Sequence, residues 1–412
     1  MTLSRRSFAL GISAVALAGC AGTGTPTVTG RASPTPGMTP VPNAGFDAWV
    51  ASYRGRALSR GISESTFQNA FRGAGYLPWV IERDRQQVEF TRTLEDYLAI
   101  AASDERVSKG RANLRRYDST LARIEQAYGV EPEVVVAVWG LESQYGERRG
   151  DIPVVSATAT LAYDGRRGNF FEQQLTAALK ILQRGDTTPA NMTGSWAGAM
   201  GHTQFIPTSF EAYAVDFTGD GRRDIWSNDP TDSLASTAAY LKRSGWRRGQ
   251  PWGVEVRLPA GFSGPFGRGS TRSAASWAAA GVRDMNGAPV PDHGPASIIV
   301  PQRGGPAFMV FRNFTVITRY NNSESYVIGV GHLSDRIAGG APLRSGFPPD
   351  ATGLTIDDRK ELQTRLNRAG FDVGTPDGVV GKKTEAAISG YQQANGLAVT
   401  GKPSQALLQQ LR

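Results

Sequence analysis

A chain of 412 residues, 40% of them hydrophobic and 20% charged, is too long for one average domain and too apolar to be disordered, so it predicts a main folded domain accompanied by something smaller. A formal net charge of +8 favours an anionic partner. The single cysteine excludes an intramolecular disulfide, so stability must come from the core.

Residues 1–19 read as an export signal. MTLSRRSFALGISAVALAGC has a charged start, an apolar run from Phe8 to Ala18 too short to span a bilayer, and small residues ahead of Cys20. Arg5 and Arg6 in SRRSF resemble a twin-arginine signal, and Leu17-Ala18-Gly19-Cys20 resembles a lipobox, which makes Cys20 the expected lipidated first residue of the mature chain. A cleaved secretory signal with an incidental cysteine is the alternative. Residues 20–43 are rich in Thr, Pro, Gly and Ser and nearly uncharged, the composition of a flexible tether. Outside the cytoplasm nucleic acid is not the expected anionic partner; wall polymers or lipid headgroups are.

From Phe46 to about Gln126 the pattern is amphipathic and helical, with QQVEFTRTLEDYLAIAASDERVSKGRANLRRYDSTLARIEQAYG as its longest run. The next helix opens at Pro132 and carries VVVAVWGLESQYG. Val135, Val138 and Glu142 fall at i, i+3 and i+7, so the carboxylate lies on the stripe expected to face a core or cleft. Desolvation there raises a carboxyl pKa and suits a general acid. A structural glutamate held by an arginine or by backbone amides is the alternative.

Helical patterns continue through DGRRGNFFEQQLTAALKILQRG and PTDSLASTAAYLKRSGW. Between them, Gly194, Gly198 and Gly201 permit close backbone approach, and Ser195, Gln204 and Thr208 offer neutral hydrogen-bonding groups among Trp196, Met200 and Phe205. Neutral polar groups on apolar walls suit a sugar or another polyhydroxylated ligand; a buried turn with structural glycines is the alternative. DFTGDGRRD resembles the front of an EF-hand loop, with Asp216, Thr218 and Asp220 at positions 1, 3 and 5 and Gly221 at 6. Ser227 stands where the pattern wants glutamate, and Asp232 is the candidate to replace it. An Asx-rich turn without metal is the competing reading.

WGVEVRLP, ASIIVP, AFMVFRNFTVITRYN and SYVIGVGHL are rich in β-branched and aromatic residues and predict a small β element late in a main domain spanning 44–338. In RYNNSESY, Tyr320 and Tyr326 offer stacking faces and Asn321 an amide. Residues 339–352, GGAPLRSGFPPDAT, form a Gly/Pro-rich linker, and 353–412 predict three helices at Ile356 to Ala369, Lys382 to Asn395 and around Leu407, Leu408 and Leu411. The fold class is therefore mainly α, of α+β type, with a small all-helical C-terminal domain. His202, His293 and His332 belong to no nucleophile motif, and there is no P-loop, dinucleotide fingerprint or zinc helix, which leaves carboxylate chemistry.

VVVAVWGLESQYG, LAYDGRRGNFFEQQL, GSWAGAMGHTQFIPTSFEAYAVDFTGDGRRDIW and RYNNSESYVIGV, in that order, resemble the membrane-bound lytic murein transglycosylase B family. The resemblance implies a lysozyme-like catalytic domain in which Glu142 is the sole acid/base. It implies cleavage between N-acetylmuramic acid and N-acetylglucosamine with formation of a 1,6-anhydromuramyl end. It also implies that Ser195, Gln204, Tyr320, Asn321 and Tyr326 line the sugar cleft, with Arg166, Arg167 and Tyr97 contributing. Asp216, Thr218, Asp220 and Asp232 match the family's metal loop, for a structural calcium or sodium ion; no cofactor is required for the reaction. GLTIDDRKELQTRLNRAGF, TPDGVVGKKTEAAISGYQQANGL and VTGKPSQALLQQL resemble a three-helix peptidoglycan-binding domain. Peptidoglycan strands and, through Cys20, a membrane are the implied partners, in the periplasm and with the outer membrane as the expected anchor. Two rival readings are a muramidase using water, with Glu147 or Asp151 as a second carboxylate, and a non-catalytic wall-binding lipoprotein. The intact ESQYG, GAMGHTQF and RYNN segments argue against the second.

Overall fold

The computed structural model describes residues 38–86 and 93–412; the export signal, Cys20 and most of the tether lie outside the described residues. The described chain divides into two compact units, one of 38–86, 119–128 and 138–240, the other of 93–118, 129–137 and 241–412.

The first unit is helical. At its centre Val154–Asp164 and Gly168–Arg184 pack against each other, joined through Gly165 in the left-handed conformation that a glycine adopts without strain. Every residue from Val154 to Ala162 is buried, and its polar members are satisfied internally: Ser156 and Thr160 accept the amides of Gly75 and Leu77. Leu77, Val80, Ile152, Leu161 and Phe171 build the core beside it. Asn43 and Ser63 cap the helices Ala44–Ser59 and Glu64–Phe71 by accepting the amides of Phe46 and Thr66. A short antiparallel ribbon pairs Ile152 with Gly194, and so brings the exit of the Glu142 segment beside the glycine-rich GSWAGAMG turn.

The second unit holds the β element, a four-stranded antiparallel sheet ordered Arg283–Asp284, Gly253–Arg257, Ala307–Val310, Ser297–Ile299. Val256, Trp277, Ile298, Met309 and Phe311 form its core. Two of the runs expected to be strands are wholly or largely helical. In AFMVFRNFTVITRYN the strand stops at Val310, and Arg312–Tyr320 is a helix burying Asn313, Phe314, Val316 and Ile317, a helical spacing. SYVIGVGHL lies inside the helix Glu324–Ile337, where Tyr326 to Ser334 are all buried. Valine and isoleucine lose little by being helical once packing surrounds them, so tertiary burial overrides their β preference. The long helical run is also divided, into Leu94–Ala101, Asp104–Arg116 and Asp118–Tyr128, because Ser103 caps the second piece by accepting the Arg106 amide.

The C-terminal helices are Ile356–Arg368, Lys382–Ala394 and Gln405–Leu411, closed over Leu354, Leu362, Leu366, Ile388, Leu407 and Leu408. The preceding linker is pinned to the sheet. The Glu255 carboxylate accepts the amides of Arg344 and Ser345 at 2.9 and 2.7 Å, and the Arg344 guanidinium donates to Asn286 at 2.7 Å. Arg359, only 2% exposed, then ties the small domain to the helix Leu94–Ala101. Its Nε donates to the Gly378 carbonyl at 2.7 Å, and Nη1 to Asp350 at 2.9 Å and the Leu354 carbonyl at 3.2 Å. Its Nη2 donates to Glu95 at 2.9 Å and Asp96 at 2.8 Å. All the guanidinium donors are thereby used. Burial pushes the Glu95 carboxyl above its ordinary value, against the pull of Arg359.

Candidate functional site

Glu142 sits on the last turn of the helix Pro132–Ser143, with Val135 and Val138 fully buried and Glu142 itself half-buried. The chain then turns sharply: Gln144, Tyr145 and Gly146 have φ of 51°, 60° and 87°. Two successive non-glycine residues in the left-handed region cost about 1 kcal/mol or more each, and they persist because the surroundings impose them. The Tyr145 ring packs edge-on to Trp139, 5.7 Å between centroids, and over Gly140, where a Cβ would stand 2.6 Å from the ring.

Four hydrogen bonds lock this turn. The Gly146 amide donates to Ser143 Oγ at 2.9 Å, and Ser143 Oγ donates to the His202 carbonyl at 2.5 Å. Trp139 Nε1 donates to His202 Nδ1 at 3.1 Å, and His202 Nε2 donates to the Ser227 carbonyl at 2.8 Å. That pair of partners assigns the imidazole proton to Nε2. Burial holds His202 below the ordinary histidine value, and the neighbouring Arg149 acts in the same direction. Arg149 in turn donates to the Trp226 and Ser227 carbonyls at 2.7 and 2.6 Å and to Asn228 at 3.1 Å. Replacing Gly146 by alanine would place a Cβ 2.5 Å from His202 Nδ1 on a backbone that disfavours side chains. Gly146→Ala is therefore expected to lower stability by about 3 kcal/mol in urea unfolding and to depress activity as well; an unchanged midpoint would contradict the packing described.

Ser195 and Gln204 lie in the same unit. The Ser195 hydroxyl accepts the Ala199 amide at 3.1 Å, closing its own turn and keeping its proton to donate. Gln204, at φ 53°, gives its amide hydrogens to the Arg149 and Gly201 carbonyls, each at 2.9 Å. It thus ties the GAMGHTQF turn to the segment leaving Glu142, and its Oε1 is what it can offer a ligand. Arg166 and Arg167 converge on Asp84, which is 1% exposed: Arg166 Nε at 2.6 Å and Arg167 Nη2 at 2.8 Å. The hydrogen bonds to Asp84 raise the Arg166 pKa further. The trio keeps one net positive charge. In the second unit, Tyr97 is on Leu94–Ala101, Tyr320 and Asn321 end the helix Arg312–Tyr320, and Tyr326 is in the first turn of Glu324–Ile337, none of them at a strand end. Asn321 Oδ1 accepts the Ser323 amide at 3.0 Å and fixes that turn.

The Asp216 loop is a hydrogen-bonded turn. Asp216 Oδ1 accepts the Thr218 hydroxyl and the amides of Gly219 and Asp220, and Oδ2 accepts the Gly221 amide. Against a desolvation cost, these donors hold its carboxyl below the ordinary value. Asp232 accepts the amides of Phe217, Thr218 and Asp224, and burial raises its carboxyl against their pull. Asp220 accepts the Arg222 amide. Among the described residues no three or more His, Cys, Asp or Glu side chains group to hold a metal ion. Beneath the loop, Asp186 pairs with Arg223 at 2.6 Å, a buried bridge with no counterpart in the sequence reading.

Ser143, Arg149 and His202 were not singled out by sequence as parts of a site. The one available signal was a histidine inside a glycine-rich turn that also carries Gln204.

Two family models cover this architecture. A Transglycosylase SLT domain matches residues 45–335, and a Putative peptidoglycan binding domain matches residues 355–411. The chain belongs to the SLT transglycosylase family. This transglycosylase-family chain is 35% identical over 240 residues to Membrane-bound lytic murein transglycosylase B of Escherichia coli (strain K12), a match covering 56% of this chain and 64%, just under two thirds, of that relative. It is similar to crystal structures of SltB3 from Pseudomonas aeruginosa in complex with NAG-anhNAM-pentapeptide and with NAG-NAM-pentapeptide, at 46% identity and a TM-score of 0.73, covering 90% of this chain and 100% of that one. It is also similar to Escherichia coli Slt35 in complexes with bulgecin A and with calcium, at 30% identity and a TM-score of 0.62, over 72% of this chain and 93% of the other. The family match accords with the helix-rich, lysozyme-like expectation.

Proposed function

We propose that the chain is a lytic transglycosylase that cleaves the β-1,4 bond between N-acetylmuramic acid and N-acetylglucosamine in peptidoglycan, with Glu142 as acid and then base. Protonated Glu142 gives its proton to the glycosidic oxygen as the bond to muramyl C1 breaks. The resulting carboxylate takes the proton of the muramyl C6 hydroxyl, and the C6 oxygen closes on C1. Glu142 ends protonated again, the products are a free N-acetylglucosamine hydroxyl and a 1,6-anhydromuramyl end, and no water is consumed.

The observation that carries this reading is the placement of Glu142, half-buried at a strained helix exit held by a buried hydrogen-bond network, while the nearby carboxylates of Glu147 and Asp151 are exposed. A two-carboxylate glycosidase needs its second group facing the same bond. Ser195, Gln204, Arg166 and Arg167, and by resemblance Tyr97, Tyr320, Asn321 and Tyr326, are proposed to hold the glycan. The excess positive charge of the Arg166–Arg167–Asp84 trio suits a muramyl or peptide carboxylate. The chemistry needs no cofactor. A calcium or sodium ion bound by Asp216, Thr218, Asp220 and Asp232 would share carboxylate oxygens that already accept loop amides, and would act on loop stability.

The small domain is proposed to bind the wall polymer, and lipidated Cys20 to carry the exported chain on a membrane facing the periplasm, the outer membrane in this reading. The name of the Escherichia coli relative supports a membrane-bound state. Among the described residues no helix is long and apolar enough to cross a membrane. Mass spectrometry of the muramyl ends released from purified peptidoglycan tests the reaction. Anhydro ends, one water lighter than reducing ends, are expected; reducing ends would make the enzyme a muramidase.

A further inference from the structure

We propose that His202 is a positioning residue for Glu142: it clamps the last turn of the acid's helix at two points and fixes the direction of its carboxyl. This rests on the reading of Glu142 as the acid/base.

Trp139 and Ser143 flank Glu142 on the helix surface, three residues before it and one after. His202 holds both, the first through Nδ1 at 3.1 Å and the second through its carbonyl at 2.5 Å. The imidazole is itself anchored by Nε2 on the Ser227 carbonyl, whose position Arg149 fixes at 2.6 Å. Both ring nitrogens therefore have protein partners, and His202 is 4% exposed, so it has no donor or acceptor left for substrate. Its effect must pass through the helix end. The strained residues Gln144 and Tyr145 follow directly, and without the imidazole's bond to Trp139 only the backbone carbonyl of residue 202 still holds the turn, which then has a path to relax by unwinding the helix at Glu142. Neutral imidazole is the form that can accept from Trp139, and burial together with Arg149 favours it. A displacement of the acid of about 1 Å is enough to cost about a hundredfold in rate without touching substrate binding.

The test compares kcat and KM on purified peptidoglycan for the full mature chain and for His202→Phe, His202→Asn, Trp139→Phe, the double variant His202→Phe/Trp139→Phe and Glu142→Gln. Each is assayed well below its own melting temperature. His202→Phe is expected to lower kcat about a hundredfold with KM within about twofold of the native value. His202→Asn, whose Oδ1 still accepts from Trp139, should recover most of that loss. Trp139→Phe should lower kcat as His202→Phe does, and the double variant should lose no more than either single one. A His202→Phe enzyme with native kcat, or losses that add in the double variant and follow the folded fraction, would overturn the positioning role. If Glu142→Gln is inactive in that case, only the clamp fails; if Glu142→Gln keeps native turnover, the assignment of the acid fails and the clamp with it.

Discussion

Replacing Arg359 by methionine is expected to lower the unfolding free energy by about 3–5 kcal/mol, the range for removing one partner from a buried ion cluster. The substitution keeps much of the side chain's bulk and removes every donor. The carbonyls of Leu354 and Gly378 and the carboxylates of Glu95, Asp96 and Asp350 lose the group that now satisfies them. The pH dependence follows from Glu95. Its carboxyl is already raised by burial, and a raised folded pKa gives stability that is present below the ordinary glutamate value and lost as pH rises through the folded one. Without the cation that pKa rises further, so the variant should recover stability as pH falls toward the ordinary glutamate range. Urea midpoints across pH read this directly. The same cluster makes deletion of 353–412 more than the removal of a binding module, because Glu95 and Asp96 would remain with no guanidinium. A truncated chain that melts at the native temperature would show the small domain to be energetically separate.

Glu142→Gln is expected to lower turnover by about a thousandfold or more, within the span that a general acid contributes when it also serves as the base. Glutamine keeps the shape of the side chain but cannot give or take the proton, so KM should be close to native. Glu142→Asp retains the acid but withdraws it by one methylene from the bond, and about a hundredfold loss is expected from misplacement alone. Steady-state rates of soluble muropeptide release distinguish the two. An aspartate variant as dead as the glutamine one would place more weight on geometry than on proton chemistry, and a glutamine variant with native kcat would remove Glu142 from the reaction.

The parts of the fold visible in the sequence are those fixed by local signals. Pro132 and the valine spacing set the Glu142 helix, and the C-terminal helices emerged within a residue or two of their observed limits. The runs at Arg312–Tyr320 and Glu324–Ile337 were misleading because a short apolar, β-branched run fits a fully buried helix as well as a fully buried strand. Site residues divided in the same way. Glu142 announced itself as a carboxylate in an apolar run. His202 did not, since its partners Trp139 and Ser227 lie 63 and 25 residues away and no local pattern records such a pairing. Arg166 and Arg167 were visible as a basic pair, while Asp84, about eighty residues earlier and the group that holds them, carried no sign of it. Asp216, Thr218 and Asp220 showed the spacing of a metal loop, but spacing does not show the amides that Asp216 and Asp232 accept from within it.

In the proposed reaction the muramyl C6 hydroxyl, not water, closes on C1 after Glu142 has protonated the bond. Digestion of purified peptidoglycan by the mature chain in water enriched in heavy oxygen, followed by mass analysis of the muramyl ends, separates the two nucleophiles. Anhydromuramyl products free of label, absent with Glu142→Gln, are the predicted result; labelled reducing ends, or unlabelled anhydro ends made equally well by the glutamine variant, would contradict it.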